Sequence, residues 1–130
     1  MIKSPRILRP DTITVKNKYK EIDFQMQYLE TTINHVRVDE SYGIRQSKKG
    51  IDSEDSAVIV IDLNDLEATQ DNEKADYIEN KDNLDLEKGL FTFKGDDIIL
   101  YNDKEYTITK VNVAKRGLNK EPVFLEVFVK

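Results

Sequence analysis

The sequence predicts a mainly β fold, a small barrel or sandwich of about seven short strands. Apolar and polar residues alternate in several short stretches, and the β-branched run from Ala57 to Ile61 is typical of a strand buried on both faces. No amphipathic helix alternates with these stretches, which argues against a wound α/β sheet. At 130 residues, the chain is expected to form a single domain around one core.

The strand signals follow one another along the chain and are separated by turn residues. They cover residues 12–16, 24–38, 57–61, 90–93, 97–101, 104–111 and 123–129. Asn102-Asp103 is the clearest hairpin turn. The alternation that starts at Phe24 breaks at Thr31-Thr32 and restarts at Val36, which predicts a bulge or a break between two strands.

Three segments lack a strand pattern. Residues 1–11, with two prolines, predict an extended arm, and residues 39–56 predict a long polar loop. Residues 62–88 are interpreted as an acidic insertion, which contains ten acidic residues and three lysines. That segment carries a net charge of −7 in a chain of net −5, so the remainder is mildly basic at +2.

The residues available for catalysis are few, and we expect no enzyme activity and no catalytic residues. The chain has no cysteine, so it has neither a disulfide nor a thiol nucleophile. We therefore expect it to fold in a reducing cytoplasm, or at least not to depend on an oxidising compartment. Its one histidine, His35, lies beside a valine in a strand pattern and is interpreted as a surface residue. The serines lie in polar stretches where no base is held nearby.

Metal, cofactor and membrane sites are not expected either. Asp62-x-Asn64 begins like a calcium loop, but Leu66 occupies the third ligand position and Glu67 replaces the required glycine. No glycine-rich phosphate loop is present. No apolar run approaches the ~20 residues of a membrane span, and the first ten residues lack the apolar core of a signal peptide.

Association is the function class that the pattern favours. The arm, the polar loop and the acidic insertion would each order against partners. A small nucleic-acid-binding barrel is the alternative from another class, because basic residues recur in the first twenty positions and in the loop at Arg45, Lys48 and Lys49.

An ordered set of segments resembles a known family. Residues 4–15, the strand Thr32-Ile33-Asn34-His35-Val36-Arg37-Val38-Asp39, and residues 93–99 carry the likeness. The hairpin arm 104–111 and the closing Leu125-Glu126-Val127 complete it. Together they resemble the minor capsid protein family encoded in the head–tail gene block of tailed phages and prophages.

The resemblance implies a stopper-like head-completion protein of the head–tail connector, found in the virion and assembled in the bacterial host cytoplasm. Such a protein forms a sixfold or twelvefold ring beneath the portal, retains packaged DNA non-specifically and docks the tail. An adaptor or tail-terminator subunit of the same connector is the alternative. In a ring, Arg45, Lys48 and Lys49 would face the DNA channel. The inter-subunit arm would use six residues: Arg6, Ile7, Leu8, Arg9, Ile13 and Val15.

Overall fold

The computed structural model describes residues 5–40, 56–79, 88–118 and 121–130 of the chain. Its ten strands, numbered in chain order, are β1 (Asp11–Ile22), β2 (Gln25–Asp39), β3 (Ala57–Asp62), β4 (Glu67–Gln70), β5 (Glu73–Lys74), β6 (Asp76–Tyr77), β7 (Leu90–Phe91), β8 (Ile98–Tyr101), β9 (Lys104–Arg116) and β10 (Glu121–Val129). Two single 3-10 turns, Arg6–Leu8 and Leu63–Asp65, lie before β1 and after β3.

Six of the strands close into a barrel. Their order is β1-β8-β9-β10-β3-β2, every neighbouring pair is antiparallel, and β1 pairs with β2 to complete the ring. The prediction of a mainly β fold and a small barrel is therefore confirmed. β4 and β5 extend the sheet from β2, while β6 and β7 form a separate parallel pair.

The strands are longer and more numerous than the sequence pattern indicated. β1, β2 and β9 have 12, 15 and 13 residues, and the described residues form ten strands instead of about seven. The length of these strands depends on how far a neighbouring strand supplies backbone hydrogen-bonding partners. The β1–β2 pairing continues to Ile22 and Gln25 through polar residues that show no buried face in the sequence.

The core fills the inside of the barrel. Its fully buried large side chains come from seven strands and one connection: Phe91, Phe93, Ile13, Ile33, Ile59, Ile61, Ile99, Ile108, Leu125, Val15, Val36 and Val127. β3, the predicted doubly buried strand, is buried at five of its six positions. It lies between β2 and β10, and its consecutive residues Ala57, Val58 and Ile59 are all buried, so both of its faces are covered. This burial on both faces explains its continuous apolar run.

β2 changes its buried face at His35. Thr31 and Ile33 point into the core before this residue and Val36 after it, and His35 has a left-handed φ of 60°. The pairing with β1 shifts by one residue at the same place. The predicted bulge is thus confirmed. The alternation that starts at Phe24 does not mark the buried face, however, because Phe24 and Tyr28 are exposed and Leu29 is buried.

Part of the acidic segment 62–88 belongs to the folded sheet. It contributes β4, β5 and β6, and its alanines Ala68 and Ala75 are buried in the core. The buried Gln70 donates hydrogen bonds to Thr31 Oγ1 and to the carbonyl of Leu90 and accepts one from Gly89 N–H, at 2.7–2.9 Å. These bonds join β4 to β7, and alternation alone could not predict them because they depend on a distant strand. Residues 80–87 lie outside the described residues.

Candidate interaction surface

The segment before β1 is fixed to the barrel by one buried carboxylate. Arg6 donates Nε–H and Nη2–H hydrogen bonds to the two oxygens of Asp65 at 2.8 and 2.9 Å. Arg9 reaches the same carboxylate at 2.9 Å, and both Arg9 and Asp65 are buried. Hydrogen bonds from the two guanidinium groups hold the pKa of Asp65 well below its usual value. The Asp65 carboxylate therefore stays charged at neutral pH and ties the arm to the turn after β3.

The bulge in β2 contributes to the same cluster. Arg9 donates a hydrogen bond of 2.9 Å to the backbone carbonyl of His35. The His35 imidazole lies 2.7 Å from the carboxylate of Glu67 on β4. His35 thus links the bulge to the neighbouring strand β4. Among the described residues, these contacts place no nucleophile beside its imidazole. Among the described residues, no group of three or more His, Cys, Asp or Glu side chains is arranged to hold a metal ion.

The six residues predicted for the inter-subunit arm fall into three groups. Ile13 and Val15 are core residues of β1, which pairs with β2 on one side and β8 on the other. They therefore serve the chain's own barrel. Arg6 and Arg9 hold Asp65, as described above. The side chains of Ile7 and Leu8, between the two arginines, face solvent with exposed fractions of 86% and 59%.

The predicted DNA-facing residues Arg45, Lys48 and Lys49 lie outside the described residues, in the segment 41–55. The structure does describe both points where this segment leaves the barrel. Ser56 N–H donates a hydrogen bond of 2.7 Å to the carbonyl of Val129. On the other side, the Glu40 carboxylate binds two residues of β9, Lys104 and Tyr106.

Glu40 accepts hydrogen bonds from the Tyr106 hydroxyl at 2.5 Å and from Lys104 Nζ at 2.9 Å. These two bonds hold the pKa of Glu40 below its usual value. Desolvation and the nearby carboxylate raise the pKa of Tyr106 to about 12. Beside this group, the Tyr101 hydroxyl donates to Asp11 at 2.9 Å. Glu40, the last described residue before segment 41–55, is therefore held at the end of the barrel where β9 begins.

A second buried polar group joins β1 to the segment before β8. Asn17 donates hydrogen bonds to the Thr92 carbonyl at 2.7 Å and to the Asp97 carboxylate at 2.8 Å. Burial raises the pKa of Asp97, against the opposing effect of the Asn17 hydrogen bond. These contacts connect β1 to the residues before β8 just past the last β1–β8 pair, Lys16 with Ile98. Sequence reasoning missed them because Asn17 lies 75 and 80 residues from its partners.

Two hairpins extend beyond the barrel at the same end. β1 and β9 are both antiparallel to β8, so they run in the same direction and their turns lie at one end. The β1–β2 hairpin carries Phe24 at its turn, with an exposed fraction of 97%. The β9–β10 hairpin carries Leu118 after Arg116, and this leucine is fully exposed. Sequence reasoning placed Phe24 on a strand face and gave no role to Leu118.

Several basic side chains considered for nucleic-acid contact have acidic partners in the structure. Arg6 and Arg9 bind Asp65, and Lys16 lies 3.4 Å from Glu30. The charge of such a side chain is already neutralised by a protein carboxylate, so it is less available to neutralise a phosphate. Exposed apolar side chains are thus the more distinctive surface feature of the described residues.

Comparisons with known proteins place the chain in one family. No curated protein and no solved structure matched it. In the part of the chain that the structure describes, no helix is both long enough and apolar enough to cross a membrane. The family match covers residues 8–125, which include the first five barrel strands in chain order, the start of β10, the acidic segment and Asp65. The chain belongs to the family of unknown function DUF6751.

Proposed function

We propose that this protein is a structural subunit of a phage or prophage head–tail connector, stopper-like, that forms a ring under the portal. In this role it retains packaged DNA and docks the tail. An adaptor or tail-terminator subunit of the same connector is the alternative. The observation that carries the proposal is the anchored arm, the segment before β1 in which Arg6 and Arg9 bind Asp65. Between these two arginines, the side chains of Ile7 and Leu8 face solvent.

The arm is ordered without burying its own apolar side chains. Fixing a backbone residue costs about 1–2 kcal/mol of conformational entropy, which Ile7 and Leu8 do not recover through contacts within the chain. Burying a leucine or isoleucine against a partner contributes roughly 1.5–3 kcal/mol. An arm fixed by Asp65 has already lost much of the entropy that binding would otherwise cost. It is therefore prepared for docking onto a neighbouring subunit.

The barrel supplies a rigid body for such a ring. Its six strands close on themselves, so the barrel strands offer few free edges, and contacts between subunits would fall to the arm and the projecting hairpins. The attachment of Glu40 to Tyr106 and Lys104 fixes where the segment with Arg45, Lys48 and Lys49 starts. In the proposed ring, Arg45, Lys48 and Lys49 would meet DNA through charge alone.

The test is deletion of the gene in a phage or prophage that encodes this chain, followed by electron microscopy of the lysate. The expected products are DNA-filled or leaking heads together with free tails. Normal virions would contradict the proposal. The position of the chain in a cryo-EM map of the virion separates a stopper from an adaptor or a tail terminator.

A point variant tests the arm in the same system. Ile7→Asp with Leu8→Asp keeps the Asp65 anchor but makes burial against a partner unfavourable. We expect it to fail in complementing the deletion while the purified variant keeps its unfolding temperature. Asn112→Asp, a charge at another exposed position, is the matched control and is expected to complement. Full complementation by the arm variant would exclude the arm as the docking element.

A further inference from the structure

The β1–β2 hairpin leaves one side of β2 without a neighbouring strand. β4 pairs with β2 only at residues 32–34, and the turn at Asp71-Asn72 then carries the chain away to β5. In the part of the chain that the structure describes, no strand pairs with this side of β2 over residues 25–30. We call these six residues the open edge of β2.

The backbone at Tyr28 is directed to the open side. Tyr28 pairs with Lys18 of β1, whose N–H donates instead to the Asp97 carboxylate at 3.3 Å, on the side of β1 away from β2. Two residues opposite each other in an antiparallel pair either exchange both backbone hydrogen bonds or turn these groups away from each other. The N–H and C=O of Tyr28 therefore point to the open side, and those of Met26 and Glu30 follow by alternation.

A groove of about 470 Å³ runs along the open edge. Four consecutive residues of β2, 27–30, line one side of it. Successive side chains of a strand point to opposite faces, so a groove that touches all four lies beside the edge of the strand. Gln70 and Asp71, where β4 ends, line the groove as well. The groove therefore lies where a strand that continues the line of β4 would run.

The two outer edges of this hairpin have different residues. β1 carries Lys18 and Lys20 on either side of Tyr19, an extra residue that shifts the pairing with β2. Lysines and bulges are common features that keep an exposed edge from pairing with another chain. Residues 25–29 of β2 contain no lysine, no proline and no charged residue, in a chain that is 35% charged. This edge is thus unprotected, and two copies of it do not repel each other through charge.

From these observations we infer that the open edge of β2 pairs with the same edge of a second copy. An antiparallel edge fits its own twofold image, so the contact is isologous, closes after two copies and gives the strand order β1-β2-β2-β1. The inference goes beyond the proposed function and does not depend on the ring.

The position of β4 selects the register of this pairing. A twofold axis at Tyr28 would place Phe24 of the other copy beside Thr32, where β4 is already paired. An axis at Met26 would pair only residues 25–27, because the turn begins at Phe24. An axis at Gln27 pairs residues 25–29 of both copies and leaves β4 in place. Gln27 of one copy then lies opposite Gln27 of the other.

The experiment uses the absence of native cysteine. Gln27→Cys faces its own copy across a pair without backbone hydrogen bonds, where the Cα atoms are about 4.5 Å apart and a disulfide can form. Gln25→Cys is the matched control, since it makes the same change on the same face but is more exposed and lies opposite Leu29. In a glutathione redox buffer, we expect the Gln27→Cys dimer to exceed the Gln25→Cys dimer several-fold, rising with protein concentration.

Equal yields from the two variants, or a larger yield from Gln25→Cys, overturn the inference. So does wild-type protein that stays monomeric in sedimentation at every concentration, because the edge would then be used by a different partner or covered by the chain itself.

Tyr28→Pro provides a second measurement. Proline removes the N–H that points to the open side and leaves the bonds between β2 and β1 in place, whereas Tyr28→Ala keeps that N–H and is the control. The twofold pair contains this hydrogen bond twice, so we expect association weakened by roughly tenfold or more relative to Tyr28→Ala. Equal association of the two variants, both with the circular dichroism spectrum of the wild type, refutes the inference. If Tyr28→Pro does not fold, the two cysteine variants decide.

Discussion

Replacing Asp65 with asparagine tests the anchor of the arm most directly. Asp65→Asn keeps the shape of the side chain but removes its charge and turns one acceptor into a donor that faces Arg6 or Arg9. The Arg9 and Asp65 side chains are only 4% and 5% exposed, so the guanidinium of Arg9 would stay buried without its counter-charge. Breaking a buried pair in this way costs about 3–5 kcal/mol.

We expect a loss of about 3 kcal/mol in the free energy of unfolding, at the lower end of that range, because the Arg6 side chain is half exposed and rehydrates. With a urea dependence of about 2 kcal/mol per molar, the unfolding midpoint falls by about 1.5 M. The assay is urea unfolding at pH 7 followed by circular dichroism. Asp76→Asn, which makes the same chemical change at an exposed position, is the control.

The pH dependence gives an independent check. Because the folded pKa of Asp65 is depressed, its stabilising contribution is present above its unfolded pKa of about 3.9 and is lost as the pH falls toward the folded value. The difference in stability between the wild type and Asp65→Asn should therefore shrink on acidification. A midpoint shift no larger than that of Asp76→Asn at pH 7, or a difference independent of pH, would refute the reasoning.

Four further predictions concern other parts of the fold. Burial raises the folded pKa of Asp97, so the ionisation of this carboxyl costs stability as the pH rises through that pKa. In urea unfolding, the Asp97→Asn variant should therefore lose less stability than the wild type between about pH 4 and pH 7. Parallel curves of stability against pH for the two proteins would contradict this. Gln70→Ala removes three hydrogen bonds and should lower the free energy of unfolding by about 2 kcal/mol, a loss below about 0.5 kcal/mol being inconsistent with the geometry. Phe24→Gly should raise the free energy of unfolding by about 1 kcal/mol by relieving left-handed strain, and destabilisation would show that the ring packs on the chain's own surface. Tyr106→Phe should raise the pKa of Glu40 in an NMR titration, and an unchanged value would remove Tyr106 as the main cause.

The local pattern of the sequence determined the fold class. The buried run at β3, the alternation in β8 to β10 and the Asn102-Asp103 turn each depend on neighbouring residues only, and the structure contains all three. Length and composition limited the chain to one small core. These signals predicted a small barrel or sandwich, but they could not decide between the two, because they did not show that β1 pairs with β2 and closes the barrel.

Tertiary structure alone decided which charges are structural. Asp65 counted as one of ten acids in a solvated segment, yet it is buried and paired with arginines 56 and 59 residues away. The same holds for Asn17 with Asp97 and for the face of β2 after the bulge at His35. A sequence pattern reports how one element repeats, whereas the partner of a charge and the environment of a turn are set only when distant strands meet. Phe24 illustrates this, since its strained and exposed position follows from the β1–β2 register and not from the residues beside it.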